Sequence, residues 1–134
     1  MKLSLPFNLR TGVWGEDQAE QFLRAKGYRI LGRRVRVTAR DELDLVARDG
    51  EVVVFVEVKT RKTEAFGAPL TAVDRAKRHT VSRAAVRYLQ RVKFPQVYIR
   101  FDVVEVIGQE GDAHPVVRHI ENAFTLDPHY RLPF

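Results

Sequence analysis

Val52-Val53-Val54-Phe55-Val56-Glu57-Val58-Lys59 is an apolar run that ends in a glutamate and a lysine. β-branched and aromatic residues in a short stretch, bounded by Gly50 and by Thr60-Arg61-Lys62, read as a buried strand. Side chains two apart on a strand share a face, so Glu57 and Lys59 point the same way. An acid in such surroundings is costly unless it is paired, protonated or bound to a cation. The plainest reading is a Glu57–Lys59 ion pair at the strand end.

The residues upstream change that reading. Asp49-Gly50 between two apolar runs signals a hairpin, because a two-residue turn of this kind needs positive φ. With Asp49 and Gly50 as the turn, Arg48 pairs with Glu51, Val46 with Val53, Asp44 with Phe55, and Glu42 with Glu57. One face then carries Leu43, Leu45, Ala47, Val52, Val54, Val56 and Val58. The other carries Val46, Val53 and Phe55, then Glu42, Asp44, Glu57 and Lys59 toward the open end. Asp44 and Glu57 become diagonal neighbours, about 7–8 Å apart at the backbone. Three acids beside one lysine repel one another, and a hard divalent cation with oxygen ligands relieves that best. The metal reading therefore outweighs the ion pair.

A chain of 134 residues suits a single domain spanning 1–134. The net charge of +6 favours a polyanionic partner, although ribosome-like and membrane-surface roles share that balance. No cysteine is present, which excludes disulfides and thiolate zinc sites. No run is apolar enough for a membrane span or a signal peptide, so a cytoplasmic protein without membrane attachment is expected. The histidines are scattered, and no HExxH, GxSxG, Walker loop or GxGxxG occurs.

Residues 1–11 and 125–134, which contain Pro6, Pro128 and Pro133, read as loosely attached arms. Gly15 to Gly27 reads as a helix closed by Gly27, with Ala19, Phe22, Leu23 and Lys26 facing inward. Glu16 falls on that inward side, either as a partner for the helix dipole or as part of a site. Tyr28 to Val37 is a first strand. Its arginines Arg33, Arg34 and Arg36, with Arg40 continuing the basic run, are either solvated or phosphate contacts. Thr60 to Pro69 is a loop, and Ala72 to Val92 a long helix. Lys77 projects from that helix's apolar arc and needs a partner there, a ligand phosphate or a site carboxylate. After Pro95, Val97 to Ile107 is a clear strand, and Val116 to Ile120 adds an edge. The order α-β-β-β-α-β, with a helix before the last main strand, predicts an α/β fold whose mixed central sheet is covered by helices on both faces.

Asp44, followed after a hairpin by Glu57-Val58-Lys59, resembles the PD-(D/E)xK nuclease signature of restriction endonucleases and archaeal Holliday-junction resolvases. The fuller set is more specific. Gly15-Glu16-x-x-Ala19, Gly27-Tyr28-x-Ile30-Leu31, Glu42-Leu43-Asp44-Leu45-Val46, Val54-Phe55-Val56-Glu57-Val58-Lys59-x-Arg61, Phe66-Gly67, Lys77, Tyr88-Leu89, Arg100-Phe101-Asp102-Val103-Val104 and Ile120-x-x-Ala123-Phe124 resemble the YraN family. That bacterial family is described as endonuclease-like, with the resolvase fold. Asp41, Arg34 and Arg78 depart from its usual Gly, Asn and Gln.

The resemblance implies a restriction-endonuclease-like core that hydrolyses phosphodiester bonds in DNA, including branched or damaged DNA. It implies Mg²⁺ or Mn²⁺ held by Asp44, Glu57 and the Val58 carbonyl, with Glu42 or Glu16 acting through water. Lys59 would be the catalytic lysine and Glu16 the helix-borne acid. Arg33, Arg36, Arg61 and Lys77 would position the nucleic-acid backbone. Resolvases of this fold act as dimers, so a homodimer is implied as well. Two other classes fit the charge: a nucleic-acid-binding module that keeps the nuclease fold without cutting, and an RNA- or ribosome-associated protein.

Overall fold

The computed structural model describes residues 7–63, 74–93 and 96–133, with backbone only for 7–10. The order is α1 (Phe7–Ala25), β1 (Arg29–Arg36), β2 (Glu42–Asp49), β3 (Val52–Arg61), α2 (Arg75–Val92), β4 (Tyr98–Ile107) and β5 (Val116–Phe124). The five strands form one sheet in the order β1-β2-β3-β4-β5. β3 and β4 pair in parallel, and every other neighbour pairs antiparallel. The expected mixed α/β sheet with a helical crossover is therefore present, consistent with a restriction-endonuclease-like fold. β5 runs to Phe124 rather than stopping at Ile120.

The helices cover opposite faces. Ala19 and Leu23 of α1 are fully buried against Leu45, Ala47, Val54, Val56, Val104 and Val106. Val81, Ala84, Ala85 and Leu89 of α2 pack on Val46, Val53, Phe55 and Phe101. Covering from both sides explains why Val52 to Val56 does not alternate. Burial of each large apolar side chain contributes about 1.5–3 kcal/mol. The central strands are thus the rigid base of whatever lies at their ends.

Helix α1 starts at Phe7 instead of Gly15, so it takes up part of the segment expected to be an arm. Gly15, expected as the first residue of the helix, lies inside it, at a point where β3 passes close beside it. A Cβ there would sit 2.0 Å from Thr60 Oγ1 and 3.1 Å from Thr60 Cβ. Gly15→Ala gains up to about 1 kcal/mol of helix propensity, while overpacking costs about 1–3 kcal/mol. A net loss of up to about 2 kcal/mol is expected in urea unfolding, and it should shrink in a Thr60→Ala background. At the other end, Gly27 (φ +92°) and the Tyr28 N–H donating to the Leu23 carbonyl at 3.0 Å close the helix as expected.

The expected arm at 125–133 is anchored. Arg78 donates to the Thr125 and Leu126 carbonyls, the Asp127 N–H donates to Ser82 Oγ at 2.9 Å, and Leu126 and Leu132 pack on the α2-side core. Helix α2 is capped by Asp74, whose side chain accepts from the Lys77 N–H at 2.7 Å. The expected loop at 64–69, with Phe66-Gly67, the first helical residues 72 and 73, and the break at Pro95 lie outside the described residues.

Candidate functional site

The β2–β3 turn lies one residue further along than expected, which moves each residue's partner by two, Val46 from Val53 to Phe55. Asp49 pairs with Val52, Ala47 with Val54, and Leu45 with Val56, so the turn residues are Gly50 and Glu51. Gly50 takes φ +60° and Asp49 does not adopt positive φ, so the glycine occupies the first central position of the turn. Each strand slides by one residue, which leaves the faces unchanged, apart from Leu43, which packs with the α2-side core. The ladder ends at Leu45–Val56, so Asp44 and Glu57 are the next residues on their two strands just beyond the last pair. Asp44 caps that end: its Oδ2 accepts the Val58 N–H at 2.9 Å.

Glu57 is buried, and its Oε1 meets Lys77 Nζ at 2.9 Å. The partner of Lys77 is therefore a carboxylate of the chain rather than an exposed phosphate. Burial alone would lower the Lys77 pKa, but the charge and hydrogen bond of Glu57 outweigh it and hold the ammonium above its usual range. Asp44 responds the other way. Burial, and after it the Glu57 charge, pushes its pKa up to about 6; the Val58 N–H and Lys77 counteract only in part. Lys59 follows on the same strand and has no ion pair among the described residues.

The remaining expected residues are engaged elsewhere. Glu16 on α1 is buried and held by Arg34 at 2.6 Å and Arg33 at 3.5 Å. Glu42 meets Arg36 at 3.0 Å and acts on Asp44 only through its charge. The expected convergence of three acids is thus reduced to Asp44 and Glu57. Among the described residues no set of three or more His, Cys, Asp or Glu side chains is placed to hold one ion. Arg33 also binds Asp17 at 2.5 Å, and Arg61 binds the fully buried Glu105 at 3.4 Å.

Asp44 and Glu57, with the nearby Val58 carbonyl, supply only hard oxygen donors, which suits Mg²⁺ or Mn²⁺ rather than a softer metal. A carboxyl held near pH 6 by burial and a like charge is one whose ionised form a divalent cation would stabilise. The pH dependence can be checked directly. Folded Asp44 binds its proton more tightly than the unfolded residue does, so its contribution to stability is full below about pH 4 and is lost as pH rises through about 6. The shift from 3.8 to about 6 corresponds to roughly 3 kcal/mol at most. In a chelator, wild type minus Asp44→Asn stability should fall across that interval. A flat difference would show that Asp44 titrates normally.

One polar network was not legible from local sequence. Asp102, fully buried on β4, accepts two hydrogen bonds from Arg100 at 2.8 and 2.9 Å. It also faces His119 Nε2 at 2.7 Å and accepts the Asn122 N–H at 3.0 Å. Lys26 Nζ lies 2.9 Å from His119 Nδ1, which makes Nδ1 the acceptor and Nε2 the protonated nitrogen facing Asp102. Asp102 and Val104 share the α1 side of the sheet, away from Asp44 and Glu57, so the network braces the fold and is not part of the site.

The model of the Uncharacterised protein family UPF0102 matches residues 15–106, the span that contains Asp44, Glu57 and Lys59. The chain belongs to the UPF0102 family. This is the YraN family that the motifs resemble. A UPF0102 protein of Geobacter sulfurreducens is 45% identical over 115 residues, covering 86% of this chain and 88% of its own. One from Symbiobacterium thermophilum is 47% identical over 116 residues, covering 86% and 96% respectively. Another from Syntrophomonas wolfei is 44% identical over 119 residues, with 87% and 99% coverage. The family match thus spans the β2–β3 hairpin, α2, and α1 from Gly15 onward. Among the described residues no helix is long and apolar enough to cross a membrane.

Proposed function

We propose that this UPF0102 protein is a divalent-cation-dependent endonuclease acting on DNA. The observation that carries the reading is the Asp44–Glu57 pair: a half-buried and a buried carboxylate on the two strands of one hairpin, with Asp44 pushed up to about 6 by desolvation and the Glu57 charge, and Lys59 two residues beyond Glu57. Two carboxylates so placed repel one another, and an acid perturbed like Asp44 is typical of functional sites. Asp44, Glu57 and the Val58 carbonyl would hold Mg²⁺ or Mn²⁺, which when bound lowers the pKa of a water and offsets charge on the scissile phosphate. Lys59 would orient the attacking water or neutralise charge that develops on the phosphate.

The closeness of Lys77 to Glu57 favours a second reading. An ammonium at 2.9 Å already compensates part of the acidic charge, as in a nuclease fold that holds nucleic acid without cutting it. Calorimetric titration with Mn²⁺ tests the first step. Binding that is present in wild type and lost in Asp44→Asn supports the nuclease. Absence of Mn²⁺ binding, with salt-sensitive DNA binding retained, supports the module.

A further inference from the structure

The guanidinium groups first expected to meet phosphate, Arg33, Arg36 and Arg61, are held by the chain's own carboxylates. Arg40 and Arg87 are not: both are exposed and neither has an ion pair among the described residues. They flank a hollow of about 260 Å³ formed by Thr38, Ala39, Arg40 and Asp41, between β1 and β2, with Arg87 reaching over from α2. The one acid in the hollow is already satisfied. Arg83 grips Asp41 with two hydrogen bonds at 2.7 and 2.8 Å, and only 1% of the Asp41 side chain is exposed. The Arg83 hydrogen bonds first, with the charges of Arg40 and Arg87 behind them, hold that carboxyl below its usual range. Both free arginines therefore lie close enough to Asp41 for their fields to act there. Thr38 Oγ1 accepts the N–H groups of Arg40 and Asp41 at 3.2 and 3.0 Å, which fixes the loop. The result is a shaped concavity with two uncompensated positive charges over a neutral floor.

We infer that Arg40 and Arg87 form a phosphate-binding subsite that grips the nucleic-acid backbone away from the cutting residues, an inference that takes its partner from the function proposed above. Two planar guanidinium forks suit the oxygens of one phosphodiester better than any neutral ligand. The position also suits a substrate held at Glu57. Lys77, which touches Glu57, and Arg87 are ten residues apart on α2, about 15 Å along its axis. One DNA strand advances about 3.4 Å per phosphate, so the grip would fall roughly four phosphates from the acid pair.

The test is equilibrium binding of a short fluorescent DNA duplex in chelator, across a range of salt. It compares wild type, Arg40→Gln/Arg87→Gln, and Arg29→Gln/Arg48→Gln. The last pair faces each other at the far end of the same strands and removes equal charge. Losing two phosphate contacts should flatten the slope of log affinity against log salt by about 2 and weaken binding roughly tenfold at low salt, while the control changes far less. All four positions are exposed, and matching urea midpoints confirm that folding is untouched. Equal losses in both double variants would reduce the effect to net charge and overturn the subsite. Wild type that does not bind DNA would overturn it too. Cleavage with Mn²⁺, run in parallel, separates the two proposals. Loss confined to Arg40→Gln/Arg87→Gln without any cleavage sinks the nuclease alone. Cleavage by wild type with equal binding by both double variants sinks the subsite alone.

Discussion

Asp44→Ala is expected to reduce Mg²⁺- or Mn²⁺-dependent cleavage of DNA to background, in assays on linear, nicked and branched duplexes. The carboxylate that Val58 orients lies close enough to Glu57 for their charges to act on each other, so its removal leaves Glu57 with Lys77 alone. Lys59→Ala should act differently. The acid pair survives, cation binding persists, and cleavage falls by about 10²–10³-fold, the usual effect of deleting one charge-stabilising donor. Identical behaviour of both variants in cation binding would argue against separate roles. Full cleavage by Asp44→Ala would remove the nuclease reading altogether. Retention of salt-sensitive DNA binding by every variant, with no cleavage by wild type, would establish the binding module instead.

The second large effect is on stability. Arg100→Met strips two charge-assisted hydrogen bonds from a carboxylate with no exposed surface. Burial alone would raise the Asp102 pKa, but hydrogen bonds from His119, Arg100 and the Asn122 N–H outweigh it and hold it below the usual range. Breaking such a pair from one side costs about 3–5 kcal/mol, because a buried charge is left under-compensated. Against a typical total of about 5–15 kcal/mol this is a large fraction. The urea midpoint should drop sharply while the slope of the transition stays unchanged. Arg100→Met/Asp102→Asn should cost less than Arg100→Met alone, since the amide leaves no orphaned charge and its oxygen still faces His119. Equal costs for the single and double variants would mean that Asp102 is not relying on Arg100.

Much of this was legible in the sequence, for identifiable reasons. Alternation in Leu43 to Ala47 and the unbroken apolar run from Val52 specify which faces point where, and parity survives a slide of one residue on each strand. The register is less legible, because Asp49-Gly50 accommodates two turn placements, with the glycine first or second. Only its neighbours' conformations decide between them. Lys77 announced itself as a charge on an apolar arc, and a carboxylate answers it. The arginines deceived for a different reason. Arg33 meets Asp17 across a helix–strand contact, and Arg61 meets Glu105 across two neighbouring strands, so nothing in their local sequence reveals that their charges are spent. Arg100, Asp102 and His119 are equally hidden, because only the β4–β5 pairing brings His119 to the acid, and only the extension of β5 past Ile120 brings the Asn122 N–H to it.

The tight reversal at Gly50 and Glu51 lies six residues along β3 from Glu57, about 20 Å at the rise of an extended strand. Because the chain contains no cysteine, a thiol introduced at the exposed Glu51 would be unique. That tip is accordingly the natural attachment point for a spectroscopic reporter: far enough from the acids to leave them undisturbed, yet rigidly tied to them through the strand on which one of them sits.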